Sequence, residues 1–242
     1  MGATDPIGTG RLLLFGASGA IGGAIDRHYT RQGWQVVRVT RGNTGRTPSD
    51  GFLAWDPLDD DSSGEAAIVT AGPFDAVCWA QGANCNDSIF DFDAGTHQAI
   101  YRANVLSILM SLSRLLAGDA LVSPARLCVI GSIWQNQARQ NKLSYCISKA
   151  AIQGLVLSLA NDLGSNGHLV NAVLPGVLDT PMTRANLSSD QIRKVQSSTR
   201  FGRLATLEDV AAAVYGLTSF RNNGVTGQFL NVDLGYTHVR VI

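Results

Sequence analysis

An apolar run, Leu12-Leu-Leu-Phe15, leads directly into Gly16-Ala-Ser-Gly19-Ala-Ile-Gly22-Gly23, and the residues that follow carry a helical pattern to about 32. A buried strand that must turn sharply into a helix leaves a chain few folds to choose from. The same alternation continues. Apolar or β-branched runs at 34–40, 52–55, 75–80, 125–130, 169–174 and 229–232 read as strands. Helical patterns lie between them at 64–71, 95–117, 144–163 and 207–219, the last with Thr206 as N-cap and Asp209 at its third position. Strand–helix alternation of this kind predicts right-handed βαβ units, hence a mostly parallel seven-stranded sheet with helices on both faces, a three-layer doubly wound α/β fold. No repeat or linker divides the chain, so residues 1–242 are expected to form one domain, with 1–10 as a loose lead-in.

Composition narrows the function classes. Hydrophobic residues make up 45% of the 242 and charged residues 16%, with a net charge of zero. That suits a globular chain with a large interior and gives no basic patch for nucleic acid or an anionic membrane. Cys78, Cys85, Cys128 and Cys146 form no C-x-x-C pair and have no His cluster beside them, so no metal site is expected and free thiols in a reducing compartment are. No run reaches a membrane span, and the first ten residues have neither the basic start nor the apolar stretch of a signal peptide. A cytoplasmic location is the expectation.

The glycine run has a chemistry as well as a geometry. Glycines let the backbone turn and approach a pyrophosphate, whose charge the N–H groups at the helix N-terminus bind. The second strand ends in Thr40-Arg41, with no acidic residue to take a ribose 2′-hydroxyl. A guanidinium there suits a 2′-phosphate, which favours NADP(H) and leaves NAD(H) possible, although Arg41 also reads as a solvated loop arginine. Further along, Tyr145 and Lys149 stand four apart in a chain with 3 Lys and 5 Tyr. On a helix they share a face, and a cation close to a phenol favours the phenolate, making Tyr145 a candidate acid/base.

These motifs together resemble the short-chain dehydrogenase/reductase family over about residues 11–236. Gly16, Gly19 and Gly22 match its cofactor loop; Ser132, Tyr145 and Lys149 match its Ser and Tyr-x-x-x-Lys set; and Asn104 matches its fourth catalytic position. Pro175-Gly-Val-Leu-Asp-Thr-Pro-Met182, 202–210 and 226–233 match later stretches. The resemblance implies an NADP(H)-dependent oxidoreductase that interconverts a carbonyl and an alcohol. Tyr145 would exchange the proton, with its pKa lowered by Lys149 and the oxidised nicotinamide. Ser132 would fix the substrate oxygen and Lys149 the nicotinamide ribose. Asn104 would hold a relay water, and its amide would also suit satisfying a helix irregularity, the two roles not being exclusive. The cofactor contacts implied begin with Gly16, Ser18, Gly19, Ile21 and Gly22. Gly82 would serve the adenosine side, and Pro175, Gly176, Val177 and Thr180 the nicotinamide. Asp56 would meet the adenine amine, or simply start a turn. Residues 181–203 would form a polar substrate lid, with Trp134, Gln135, Asn84, Cys85 and Asn86 near the substrate. The family pairs subunits through its two long helices, so a homodimer or homotetramer is expected.

The departures are Phe15 for the usual Thr, Ala20 for a glycine, and Trp79-Ala-Gln-Gly82 for Asn-Asn-Ala-Gly. A silent cofactor-binding sensor is the alternative reading; a methyltransferase is disfavoured by Thr40-Arg41.

Overall fold

The computed structural model describes residues 9–41, 51–59 and 62–239. The lead-in over 1–8 and most of the turn-rich stretch after Arg41 lie outside them. The strands are β1 (Arg11–Phe15), β2 (Gln35–Thr40), β3 (Phe52–Ala54), β4 (Phe74–Trp79), β5 (Leu121–Ile130), β6 (Leu169–Pro175) and β7 (Phe229–Val232). They form one sheet in the order β3-β2-β1-β4-β5-β6-β7, and every neighbouring pair is parallel.

Period-two alternation divides the core between the two faces. Leu13 and Phe15 of β1 point into one layer with Ile68 of α2 (Ser62–Ala71), Leu112 of α4 (Ser107–Ala117) and Ile152 of α5 (Leu143–Asp162). Leu12 and Leu14 point into the other, against Ile25 of α1 (Ala20–Arg31) and Val214 of α8 (Leu207–Thr218). Thr206 and Asp209 make the reciprocal capping box at the start of α8. The strand order reverses beside β1, so a crevice opens beyond the carboxyl ends of β1 and β4, where such sheets bind ligands.

Two elements differ from expectation for identifiable reasons. The helical pattern over 95–117 is interrupted: α3 (Ala94–Tyr101) passes through a π-helical turn, Arg102–Leu106, into α4. β5 begins four residues early, at Leu121, and contains Pro124. A proline does not fit a regular central strand. Here the β4–β5 register shifts between Phe74 and Ala76, which pair with Leu121 and Arg126, so Pro124 sits in the irregularity. The predicted lid is two short helices, α6 (Pro181–Asn186) and α7 (Ser189–Ser197).

α5 corrects one expectation. Its 20 residues are apolar and long enough to cross a bilayer by length and composition. It instead packs beside the sheet and carries Lys149 buried, with Ile152, Leu155 and Val156 in the core.

The central strand should carry far more of the stability than a surface cap. Leu14→Ala, at a fully buried position, is expected to cost about 2–5 kcal/mol; Thr206→Ala, which removes the α8 cap, about 1 kcal/mol. Urea unfolding of the two variants measures both, and equal losses would contradict this division of the core.

Candidate active site

The crevice is a cleft of about 420 Å³ running from Arg41 and Asp56 at one end to Tyr145, Lys149 and Thr180 at the other. The β1–α1 turn lies between. Gly16 has φ +72°, and a Cβ there would come within 2.5 Å of the Gln81 backbone nitrogen. A Cβ on Gly22 would lie 2.2 Å from the Gly16 carbonyl oxygen. Side chains at either position would push the turn off the sheet. Gly19 is the N-cap of α1, with extended backbone, no capping side chain and no acidic residue in the first turn. The first N–H groups of α1 therefore have no side-chain acceptor of their own and suit an anion. Ser18, Gly19, Ala20 and Ile21 line the cleft. Ala20 is exposed at its rim, so the departure from glycine there adds no obstruction.

At the far end, Arg41 is exposed and lines the cleft. Arg38 is engaged elsewhere, its Nε bonding Asp26 at 2.8 Å. Asp56 starts a turn, Oδ1 accepting from the Leu58 N–H at 3.0 Å, and the residue also lines the cleft. The other departures prove to be coupled. Phe15 packs between Trp55, at 5.5 Å, and Trp79, stacked at 6.0 Å. The Trp79 indole N–H donates to Ser111 at 2.8 Å in the core. An aromatic floor thus replaces the polar residues expected at 15 and 79.

The candidate reactive groups gather toward the end of the cleft opposite Arg41. Tyr145 and Lys149 rise from α5 into the cleft. Ser132, at the end of β5, caps a short 3-10 turn by accepting from the Trp134 N–H at 3.3 Å, and its hydroxyl bonds the Tyr145 phenol. The Lys149 ammonium donates to the Ile130 carbonyl at 3.0 Å and lies 5.8 Å from the centre of the Tyr145 ring. Burial pushes that ammonium down to about 8. The expected lowering of Tyr145 by Lys149 is not what this geometry gives. Burial holds the phenol above its ordinary value, partly offset by the Ser132 bond, because the ammonium is directed at a β5 carbonyl.

Asn104 sits in the π turn and is fully engaged. Its Oδ1 accepts from Ala83 N at 2.7 Å, and its Nδ2 donates to Ala83 O at 3.0 Å and to Ser148 Oγ at 2.9 Å. Ser148 in turn donates to the Tyr145 carbonyl at 2.8 Å. Of the two roles expected for Asn104, the side chain fills the structural one, pinning the irregular helix to the β4 loop and to α5. Gly82 lies between, where a Cβ would meet Asn104 Oδ1 at 3.4 Å and Lys149 Nζ at 3.7 Å.

Other expected residues are placed less directly. Thr180 lines the cleft and caps α6 by accepting from the Thr183 N–H. Pro175, Gly176 and Val177 do not line it; Gly176 is needed because a Cβ would lie 2.7 Å from Asp233 Cβ. Gln135 does not line the cleft. The 3-10 turn curls it inward, 7% exposed, with its Oε1 2.7 Å from where a Gly131 Cβ would lie. Trp134 packs against the core edge.

Lys142 was not singled out from sequence, since nothing in its spacing marks it. It is 3% exposed, and its ammonium donates to Asn84 Oδ1, Cys85 O and Asn186 Oδ1 at 2.9, 3.0 and 3.0 Å. One buried cation thus ties the lid helix α6 to the β4 loop.

Known proteins resemble this chain in sequence and fold. A family model described as enoyl-(acyl carrier protein) reductase matches residues 16–237. The chain is 27% identical over 233 residues to the 3-oxoacyl-(acyl-carrier-protein) reductase FabG of Salmonella typhimurium, covering 92% of this chain and 95% of that one. It is 28% identical over 240 residues to the cis-4-hydroxycyclohexanecarboxylate dehydrogenase of Sinomonas cyclohexanicum, covering 94% and 96%. The fold matches that of a gluconate 5-dehydrogenase from Burkholderia cenocepacia, solved with NADP and tartrate, at a TM-score of 0.82 and 22% identity over 95% of each chain. The chain belongs to the short-chain dehydrogenase/reductase family of oxidoreductases.

Proposed function

We propose that this protein is an NADP(H)-dependent reductase or dehydrogenase that interconverts a ketone and a secondary alcohol, with Tyr145 as the acid/base. The carrying observation is that Tyr145 and Lys149 line the same cleft as the uncapped N-terminus of α1. The cleft residues fit a dinucleotide. The Gly16–Gly22 turn would take a diphosphate, and Arg41 and Asp56, which line the cleft, would take a 2′-phosphate and an adenine amine. Gly16, Ser18, Gly19 and Ile21 would hold the diphosphate, and Lys149 and Thr180 the nicotinamide end. When bound, the reduced nicotinamide supplies the hydride.

The chain's own groups handle the oxygen and the proton. Ser132 donates to the carbonyl oxygen and orients it toward the phenol. Tyr145, a phenol and so neutral at pH 7, and held further in that form by burial, can give a proton to that oxygen. Lys149, still largely protonated below about 8, stabilises the phenolate left behind. The π turn at Asn104 holds Tyr145 and the β4 loop in register through Ser148 and Ala83. The lid pinned by Lys142 closes the substrate side.

The protein is proposed to assemble as a homodimer or homotetramer. Leu109 and Leu116 of α4 and Ile147 and Leu157 of α5 are exposed, leaving an apolar face on the two long helices. The four thiols are free, consistent with a reducing, cytoplasmic setting.

Four outcomes test these statements. Tyr145→Phe should lower kcat for reduction by about 10²-fold or more while NADPH still binds; turnover at the wild-type rate would remove Tyr145 from the mechanism. In a pH profile, reduction should be level below about 8 and fall above it, as Lys149 loses its proton and the phenolate its counter-charge; a rate rising through that window would contradict the assigned roles. Arg41→Ala should weaken NADPH by about tenfold and leave NADH nearly unchanged, and a wild-type preference for NADH in the same titration would overturn the cofactor assignment. In light scattering, the wild type should be a dimer or tetramer, and Leu109→Glu with Ile147→Glu should shift it toward monomer; a monomeric wild type would refute the assembly.

A further inference from the structure

Gln81 stands where the family pattern has a small alanine, and it lines the same cleft as Asp56. Its backbone is held hard against the β1–α1 turn, within 2.5 Å of where a Gly16 Cβ would lie. The carboxamide is held much more weakly. Its Nε2 donates to Ser107 Oγ at 3.4 Å, and its Oε1 is covered and has no partner among the described residues. Ser107 fixes the orientation of the amide. The Ser107 hydroxyl donates to the Ala103 carbonyl at 2.9 Å, so it meets Gln81 as an acceptor and must face the NH₂ group. The carboxamide therefore presents an unanswered acceptor, which costs free energy until something donates to it.

The facing loop has the same polarity. Pro57 has no N–H, and the Leu58 N–H is engaged by Asp56 Oδ1 at 3.0 Å. The backbone at 57–58 has no free donor for a base seated there. The side-chain groups of Asp56 and Gln81, on loops after β3 and β4, are acceptors.

We propose that Gln81 reads the cofactor's base: its carboxamide oxygen accepts one N–H of the adenine exocyclic amine while the Asp56 carboxylate accepts the other. The inference rests on the dinucleotide reading of the cleft. An exocyclic amine carries two N–H groups, and two acceptors on different loops match them. Hypoxanthine has a carbonyl oxygen at that position, which would face both acceptors with nothing to donate. Meeting the base requires the Gln81 side chain to turn about its own bonds, and the long bond to Ser107 is the one hydrogen bond it gives up.

The test is equilibrium binding, read by nicotinamide fluorescence or calorimetry, of NADPH and of its deaminated analogue with hypoxanthine in place of adenine. Wild type should bind NADPH at least about tenfold more tightly than the analogue. Gln81→Leu should cut that ratio to about threefold or less, by weakening NADPH and leaving the analogue unchanged or tighter. Gln81→Glu, which keeps an acceptor in place, should preserve the preference. Should the leucine variant not fold, Gln81→Met carries the same comparison. A wild-type ratio near one, an unchanged ratio in the leucine or methionine variant, or an equal loss for both ligands would overturn base reading by Gln81. Failure of the wild-type protein to bind either dinucleotide would instead overturn the cofactor reading beneath it.

Discussion

The approach of the β1–α1 turn to the loop after β4 is the constraint on which the rest of the cleft depends. Gly16 can lie against the Gln81 backbone only without a Cβ and with a positive φ. Gly22 lets α1 settle onto the carbonyl of Gly16. Those contacts put a helix N-terminus beside the point where the strand order reverses, with the ends of β1 and β4 as its walls. From there the chain carries its reactive groups to the same place. Ser132 follows β5, while Tyr145 and Lys149 rise from α5 beside it, and the π turn at Asn104 braces α5 against the β4 loop.

Electrostatics within that frame are set more by desolvation than by pair attraction. Burial moves Tyr145 up and Lys149 down, so each is biased toward its neutral form in the free protein. A neutral phenol is the form that can donate a proton, and a lysine near 8 retains most of its charge at neutral pH. The bond from Ser132 to the phenol is the principal favourable interaction offsetting the rise. Lys142, buried with three neutral oxygens around it, is an ammonium whose hydrogen bonds reach two separate segments, the loop after β4 and the end of α6.

The departures from the family pattern are easier to understand together than singly. A phenylalanine before the first glycine and a tryptophan at the end of β4 are unusual in sequence, and in space they stack on each other with Trp55 alongside. Ser111 accepts the Trp79 indole proton, so the exchange of polar for aromatic residues leaves that group satisfied. Gln81 is the member of this set whose polar group remains unanswered.

The family pattern marked Ser132, while the sequence alone determined the layered α/β class, five helix–strand alternations to within a few residues, the glycine turn and the placing of Tyr145 and Lys149 on one helix face. Each of these is written locally: periodicity fixes which face is apolar, and a strand–glycine–helix junction or an i, i+4 pair is complete within a few residues. The early start of β5 was hidden because Pro124 looks like a strand breaker until the register shift opposite Phe74 is known. An irregularity at Asn104 was expected, but its π form was hidden because the bonds that hold it, from Asn104 to Ala83 and Ser148, span 21 and 44 residues. The same holds for the inward turn of Gln135, the latch at Lys142 and the direction in which the Lys149 ammonium points. These depend on which carbonyl or side chain arrives from another segment and on how much water is excluded when it does, and tertiary packing decided them.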